Sequence, residues 1–150
     1  MTSTMKDDRV RCNTSNKVNE KIDRKTIENI NKYSKSPDQI QVRIFKLHKE
    51  WDIERFLEMN SSFFSFVGVM LGYFIHLYWL FIPMVILPLL FLHSIQGWCP
   101  PLPILRRLNV RTQTEIDHEI MALKILRGDF EYLISKTDPT AEEILSILRK

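Results

Sequence analysis

The sequence predicts an all-α protein: a two-helix transmembrane hairpin with amphipathic cytosolic helices on both sides. Three observations carry that expectation. Within 150 residues, no Asp, Glu, Lys or Arg occurs between Glu58 and Arg106. The centre of that interval, Phe63 to Leu92, is almost wholly Phe, Leu, Ile, Val, Met, Tyr and Trp. Helix-start signals and helical apolar spacing occur before and after it. The mean hydropathy of −0.14 hides this pattern, because it averages a polar front, an apolar middle and a polar end.

Residues 1–17 are polar and are expected to form a flexible N-terminal tail. A cytosolic helical segment is expected over 18–58. Val18, Ile22, Ile27 and Ile30 suggest a first, weakly patterned helix there. Ser36-Pro37-Asp38-Gln39 then reads as a helix start, with Ser at the N-cap, Pro at the first helical position and Gln three residues on. Ile40, Ile44, Leu47 and Trp51 follow on one face. That face packs on the other cytosolic helices or lies on the membrane surface.

The apolar block, with its shoulders, spans 59–98. As one straight helix its centre would be roughly 45 Å long at ~1.5 Å per residue, longer than a ~30 Å hydrocarbon layer. Two shorter crossings fit better, and lipid demands that backbone groups be paired within each helix. The spans are placed at about 60–75 and 79–95, with the turn near His76-Leu77-Tyr78-Trp79. Tyr78 and Trp79 are expected at one membrane interface, and Trp98, Arg106 and Arg107 at the other. Pro83 falls in the first turn of the second span and Pro88 inside it, where a kink is expected. Gln96-Gly97 ends that span, and Pro100, Pro101 and Pro103 forbid its continuation. A secretory signal is not expected, because the apolar block lies far from Met1 behind a charged segment.

Basic residues flank the block on both sides: Arg43, Lys46, Lys49 and Arg55 before it, Arg106, Arg107 and Arg111 after it. The turn carries none, so the positive-inside rule predicts two cytoplasmic termini. Ser61, Ser65, Gly68 and Gly72 make one stripe of small residues along the first span. Gly68-Val-Met-Leu-Gly72 is a small-xxx-small motif that admits a close neighbour. The neighbour is either the second span or the same face of a second copy.

After the block, 99–150 is expected to form a cytosolic helical segment. Thr112-Gln-Thr-Glu115 is a capping-box pattern, followed by an apolar face of Ile116, Ile120 and Leu123. Gly128-Asp129 should end that helix. Asp138-Pro139 should start another, carrying Ile144, Leu145, Ile147 and Leu148.

The remaining chemistry is sparse. Lys+Arg total 21 and Asp+Glu 18, a net charge of +3, which argues against a dedicated nucleic-acid binder. Two cysteines, Cys12 and Cys99, build no disulfide scaffold. With His48, His76, His93 and His118 they show no metal-ligand spacing. His76 at the turn and His93 near the exit read as interfacial polar groups. Asp7-Asp8 and Glu142-Glu143 read as solvated surface. No phosphate-binding glycine loop is present, and no cofactor is expected.

Gly97-Trp98-Cys99-Pro100-Pro101-Leu102, followed by Leu105-Arg-Arg-Leu-Asn-Val-Arg-Thr112, resembles the segment after the second span in the YgaP-like transmembrane domain family. Glu50-Trp-Asp-Ile-Glu-Arg55 and Ala122-Leu-Lys-Ile-Leu-Arg-Gly-Asp-Phe130 look like a longer, uncharacterised subgroup of it. The resemblance covers about residues 53–112 and implies a small hairpin protein of the bacterial inner membrane. Some relatives anchor a rhodanese sulfurtransferase. Residues 1–58 are too short for that domain and Cys12 lacks its active-site context, so the activity does not carry over. Two functional expectations stand. One is a non-enzymatic membrane anchor, adaptor or oligomeric scaffold, with the lipid bilayer and an unidentified protein as partners. The other is a thiol or sulfur relay at the cytosolic face, using Cys99 activated by Arg106 and Arg107.

Overall fold

The computed structural model describes residues 8–131 and Thr140. Among these residues it is all-helical, with no strand. The helices are α1 (Arg9–Cys12), α2 (Asn16–Tyr33), α3 (Pro37–Leu47), α4 (Ile53–Phe74), α5 (Phe81–Gln96), α6 (Leu102–Arg107) and α7 (Gln113–Arg127), with a 3₁₀ turn at Leu77–Leu80 before α5. The chain divides into two units, Met1–Arg24 with Trp51–Glu115 and Lys25–Glu50 with Ile116–Lys150. The expected helix at Asp138-Pro139, with Ile144 to Leu148, lies outside the described residues.

In the first unit α4 packs along the 3₁₀ turn and α5. Asp52 starts α4 by accepting the Arg55 backbone N–H at 2.6 Å, which satisfies one of the donors a helix start leaves unpaired. The helix therefore begins seven residues ahead of the expected span at Asn60, because Asp52 supplies a cap and Ile53 and Leu57 supply a buried face. Glycine sets the distance between the two helices. A Cβ on Gly68 would stand 2.7 Å from Pro83 Cδ, and one on Gly72 would stand 2.6 Å from Leu80 Cδ2. The Pro83 ring cannot yield, so position 68 requires a residue without a side chain, whereas at position 72 the Leu80 side chain would have to move.

The turn between α4 and α5 is built locally. Ile75 closes α4, and His76 Nδ1 accepts the Tyr78 backbone N–H at 3.3 Å. The His76 imidazole also stacks on Tyr78, with ring centroids 4.5 Å apart. At the other end, Gly97 takes the left-handed conformation with φ +71°, and its N–H donates to the His93 carbonyl at 2.7 Å. Pro101 then opens α6, whose Leu102 and Leu105 join Val10, Ile53, Leu57 and Cys99 in one apolar cluster.

Residues 8–17 depart from the expected mobile tail. Val10 is a member of that apolar cluster, and Asp8, expected on the solvated surface, is buried. Arg9 Nη1 donates to the Ser94 and Ile95 carbonyls at 2.8 and 3.1 Å, and Asn13 Nδ2 donates to the Gln96 carbonyl at 2.9 Å. These are C-terminal carbonyls of α5, so a cation and an amide cap the negative end of that helix.

The second unit rests on Ile40, Ile44 and Leu47 of α3 against Ile116, Ile120 and Leu123 of α7, the faces that helical spacing predicts. Ser36 sits at the α3 N-cap in extended conformation with Pro37 at the first position, although its side chain makes no capping hydrogen bond. Trp51, expected on the same face, is exposed because α3 ends at Leu47. Arg43 Nε donates to Glu119 Oε1 at 2.8 Å. Gly128, at φ +85°, ends α7 where expected.

Gly68→Val should drive α4 and α5 apart and lower the unfolding free energy in detergent by about 1–3 kcal/mol. Val69→Ala, one position along on an exposed face, should change it far less. Thermal unfolding followed by circular dichroism reads both.

Candidate functional site

The densest chemistry in the first unit surrounds one carboxylate, Glu115. The capping-box spacing puts it there. Thr112 backbone N–H donates to Glu115 Oε2 at 3.0 Å, and Glu115 backbone N–H donates to Thr112 Oγ1 at 3.3 Å. This reciprocal pair starts α7 as the sequence predicts. Arg106, from the end of α6, reaches the same carboxylate with two groups: Nη1 donates to Oε2 at 2.7 Å and Nη2 to Oε1 at 2.8 Å. A second guanidinium arrives from α1, where Arg11 Nη1 donates to Oε1 at 2.6 Å. Arg11 in turn donates to both Asp23 oxygens on α2, at 2.9 and 2.8 Å. Arg106 Nη2 also reaches Asn19 Oδ1 at 2.8 Å, and Thr112 Oγ1 donates to Asp8 Oδ2 at 2.7 Å.

Every donor in this cluster comes from a place that local structure fixes. Gly97 and the prolines turn the chain into α6. Asn109, at φ +62°, takes the left-handed turn that Asn tolerates better than most residues. That turn brings Thr112 back beneath Arg106. Burial pushes the Glu115 carboxyl up. The hydrogen bonds and charge of Arg106, the Thr112 N–H and the charge of Arg11 outweigh it, and the pKa lies below the ordinary value of 4.5. Both oxygens are occupied, so the group has no lone pair turned to a substrate and serves as a clasp.

The expected site residues fall in distinct places. Tyr78, Trp79 and Trp98 are exposed, as is Arg107. Arg106 is not a surface cation: it is 1% exposed, because pairing with Glu115 compensates the loss of its hydration. Ser61 and Ser65 are half-buried, while Gly68 and Gly72 are covered by Pro83, Ile82 and Leu80 of the same chain. The glycine end of the stripe is thus packed within the chain. Cys99 is 6% exposed, and burial pushes its thiol up. The expected activation by Arg106 is absent, since that guanidinium is turned to Glu115. Among the described residues no group of His, Cys, Asp and Glu is placed to hold a metal ion.

Leu77–Gln96 is the one helical stretch among the described residues that is long and apolar enough to cross a membrane. No family model, no curated protein and no solved structure matches this chain. Nothing among these comparisons identifies a YgaP-like family, and several of the residues that suggested it have structural work here: Gly97 the left-handed turn, Cys99 the apolar cluster, Thr112 the cap.

Sequence reasoning identified the Thr112–Glu115 box and missed Arg11, Asn19 and Asp8 as its partners. The available signal was weak: Val10 as a lone apolar residue between two arginines in a polar segment.

Two outcomes follow. Glu115→Gln should lower stability by about 3–5 kcal/mol, because it leaves Arg106 buried without a counter-charge. In the unmutated protein the Glu115 contribution is complete above its unfolded-state pKa near 4.5 and is lost as the pH falls through the lower folded value. Unfolding titrations from pH 7 to pH 3 should therefore show an acid-side loss that the Gln variant lacks. Separately, maleimide should modify exposed Cys12 well before Cys99 in the folded protein, with the difference gone in denaturant.

Proposed function

We propose that this chain is a small integral protein of the bacterial inner membrane. In this reading α4 and the stretch from Leu77 to Gln96 cross the bilayer as a hairpin. The Glu115 clasp stands at the cytoplasmic face, both termini are cytoplasmic, and the protein serves as a non-enzymatic anchor or scaffold.

One observation carries the reading: only 11% of the most apolar 18-residue window of Leu77–Gln96 is buried within the chain. A core helix of a soluble domain is covered by its neighbours. Here Phe81, Met84, Leu87, Phe91 and Ile95 are exposed. On α4, Phe63, Phe66, Met70, Tyr73 and Phe74 are exposed as well. A continuous apolar surface of that kind needs an apolar solvent or partner. The stretch of 20 residues is about 30 Å long at ~1.5 Å per residue, the thickness of the hydrocarbon layer. α4 has comparable length but a mixed first half with Glu54, Arg55, Glu58 and Asn60, so its membrane part is the charge-free run after Glu58. The basic residues on both flanks and their absence from the turn favour cytoplasmic termini. The fully occupied Glu115 oxygens and the buried thiol favour a structural role over chemistry.

Alkaline extraction should leave the full chain in the membrane pellet. In intact spheroplasts, a membrane-impermeant maleimide should label a Tyr78→Cys variant, while tags on either terminus stay protected from added protease. Recovery in the alkaline supernatant, or cleavage of either tag from outside, overturns the reading.

A further inference from the structure

A second polar feature of the first unit shares only Asp8 with the clasp. Between α1, the start of α4 and the end of α5 lies a cleft of about 380 Å³, lined by Asp8, Arg9, Glu54, Glu58, His93 and Thr114 among others. His93 is 8% exposed and its Nδ1 has no hydrogen-bond partner. Glu54 Oε2 is likewise buried without a partner. Buried polar atoms are nearly always paired, so two orphans lining one cleft call for a missing donor.

The charges in the cleft say what kind of donor fits. Three acidic residues, Asp8, Glu54 and Glu58, line it, and both Asp8 oxygens already accept hydrogen bonds, from the Arg11 backbone N–H and Thr112 Oγ1. The one guanidinium there, that of Arg9, is turned to the Ser94 and Ile95 carbonyls. Burial pushes the Glu54 carboxyl up, the backbone N–H groups of Glu54 and Gln113 lower it in part, and the negative charges of Asp52 and Asp8 raise it further. A neutral imidazole and a carboxylate accept hydrogen bonds, and an ammonium group donates three. Three acidic residues against one guanidinium disfavour an anion, and these side chains are not placed to hold a metal. The cleft has no aromatic lining, which quaternary ammonium groups use for recognition.

We propose that this cleft binds a primary ammonium group, with Glu54 and Glu58 supplying the counter-charge and His93 Nδ1 accepting one hydrogen bond. Its place at the end of α5 puts it at the headgroup level. That clause rests on the membrane reading above and makes an aminophospholipid headgroup one source, with a free small amine as the other.

The full chain is inserted into vesicles of phosphatidylethanolamine and phosphatidylcholine in equal amounts, extracted in mild detergent, and weighed by native mass spectrometry. Retained phosphatidylethanolamine should exceed phosphatidylcholine by about tenfold or more, as expected for a lost or gained charge-assisted hydrogen bond. Glu54→Gln and His93→Gln should each abolish that preference, while Glu131→Gln, an exposed carboxyl outside the cleft, should retain it. In a second arm, ethanolamine is titrated into protein in pure phosphatidylcholine vesicles while the His93 imidazole signal is followed by NMR. A saturable shift lost in Glu54→Gln with no lipid preference assigns the site to free amines, and a lipid preference assigns it to the headgroup. Neither response from protein that has inserted into the vesicles overturns the ammonium site and leaves the membrane reading intact. Failure to insert overturns the membrane reading itself.

Discussion

The first unit depends on a single carboxylate that serves several segments at once. Glu115 closes the capping box of α7, holds Arg106 from α6 and receives Arg11 from α1. Burying a guanidinium is expensive unless its charge is matched and its donors are used. Arg106 is therefore tolerable only while Glu115 is ionised and in place. The same geometry brings Thr112 against Asp8 and Asn19 against Arg106. The apolar cluster of Val10, Ile53, Leu57, Cys99, Leu102 and Leu105 is small, and it shares α1 and α6 with the polar cluster.

The helix pair beyond the clasp follows a different rule. Two helices side by side enclose almost no interior, so their contact depends on close approach rather than on burying large side chains. Gly68 and Gly72 allow that approach against Pro83 and Leu80. The large side chains point outward, where they gain nothing from the chain itself. Stability thus divides by environment. Polar pairing and a small core govern one end, and small-residue packing with its surrounding medium governs the other.

What was legible in the sequence was local. The Thr112–Glu115 box, the Ser36-Pro37 start, the apolar faces of α3 and α7 and the stops at Gly97 and Gly128 all depend on neighbours a few positions away. The structure reproduces each of them, apart from the unused Ser36 hydroxyl and the exposed Trp51. The partners of Glu115 were not legible, because Arg11 lies 104 positions away and no spacing rule reaches that far. Residues 8–17 misled for a related reason. Their polar composition matches that of a mobile tail, yet their polar groups have specific acceptors, the α5 carbonyls among them. Arg106 misled because a basic residue after an apolar block looks like an interfacial anchor, and only the fold supplies the buried acid that turns it inward.

The hydrogen bonds of α1 carry a consequence for the order of assembly. Arg9 meets its acceptor in α5 across 85 positions, and Asp8 meets Thr112 across 104. Proteins are made from the amino end, so α1 leaves the ribosome long before either partner has been translated. Closure by α1 therefore waits until residues as far along as Thr112 have been made, so the earliest-made helix of the described chain is held by some of its latest-made partners.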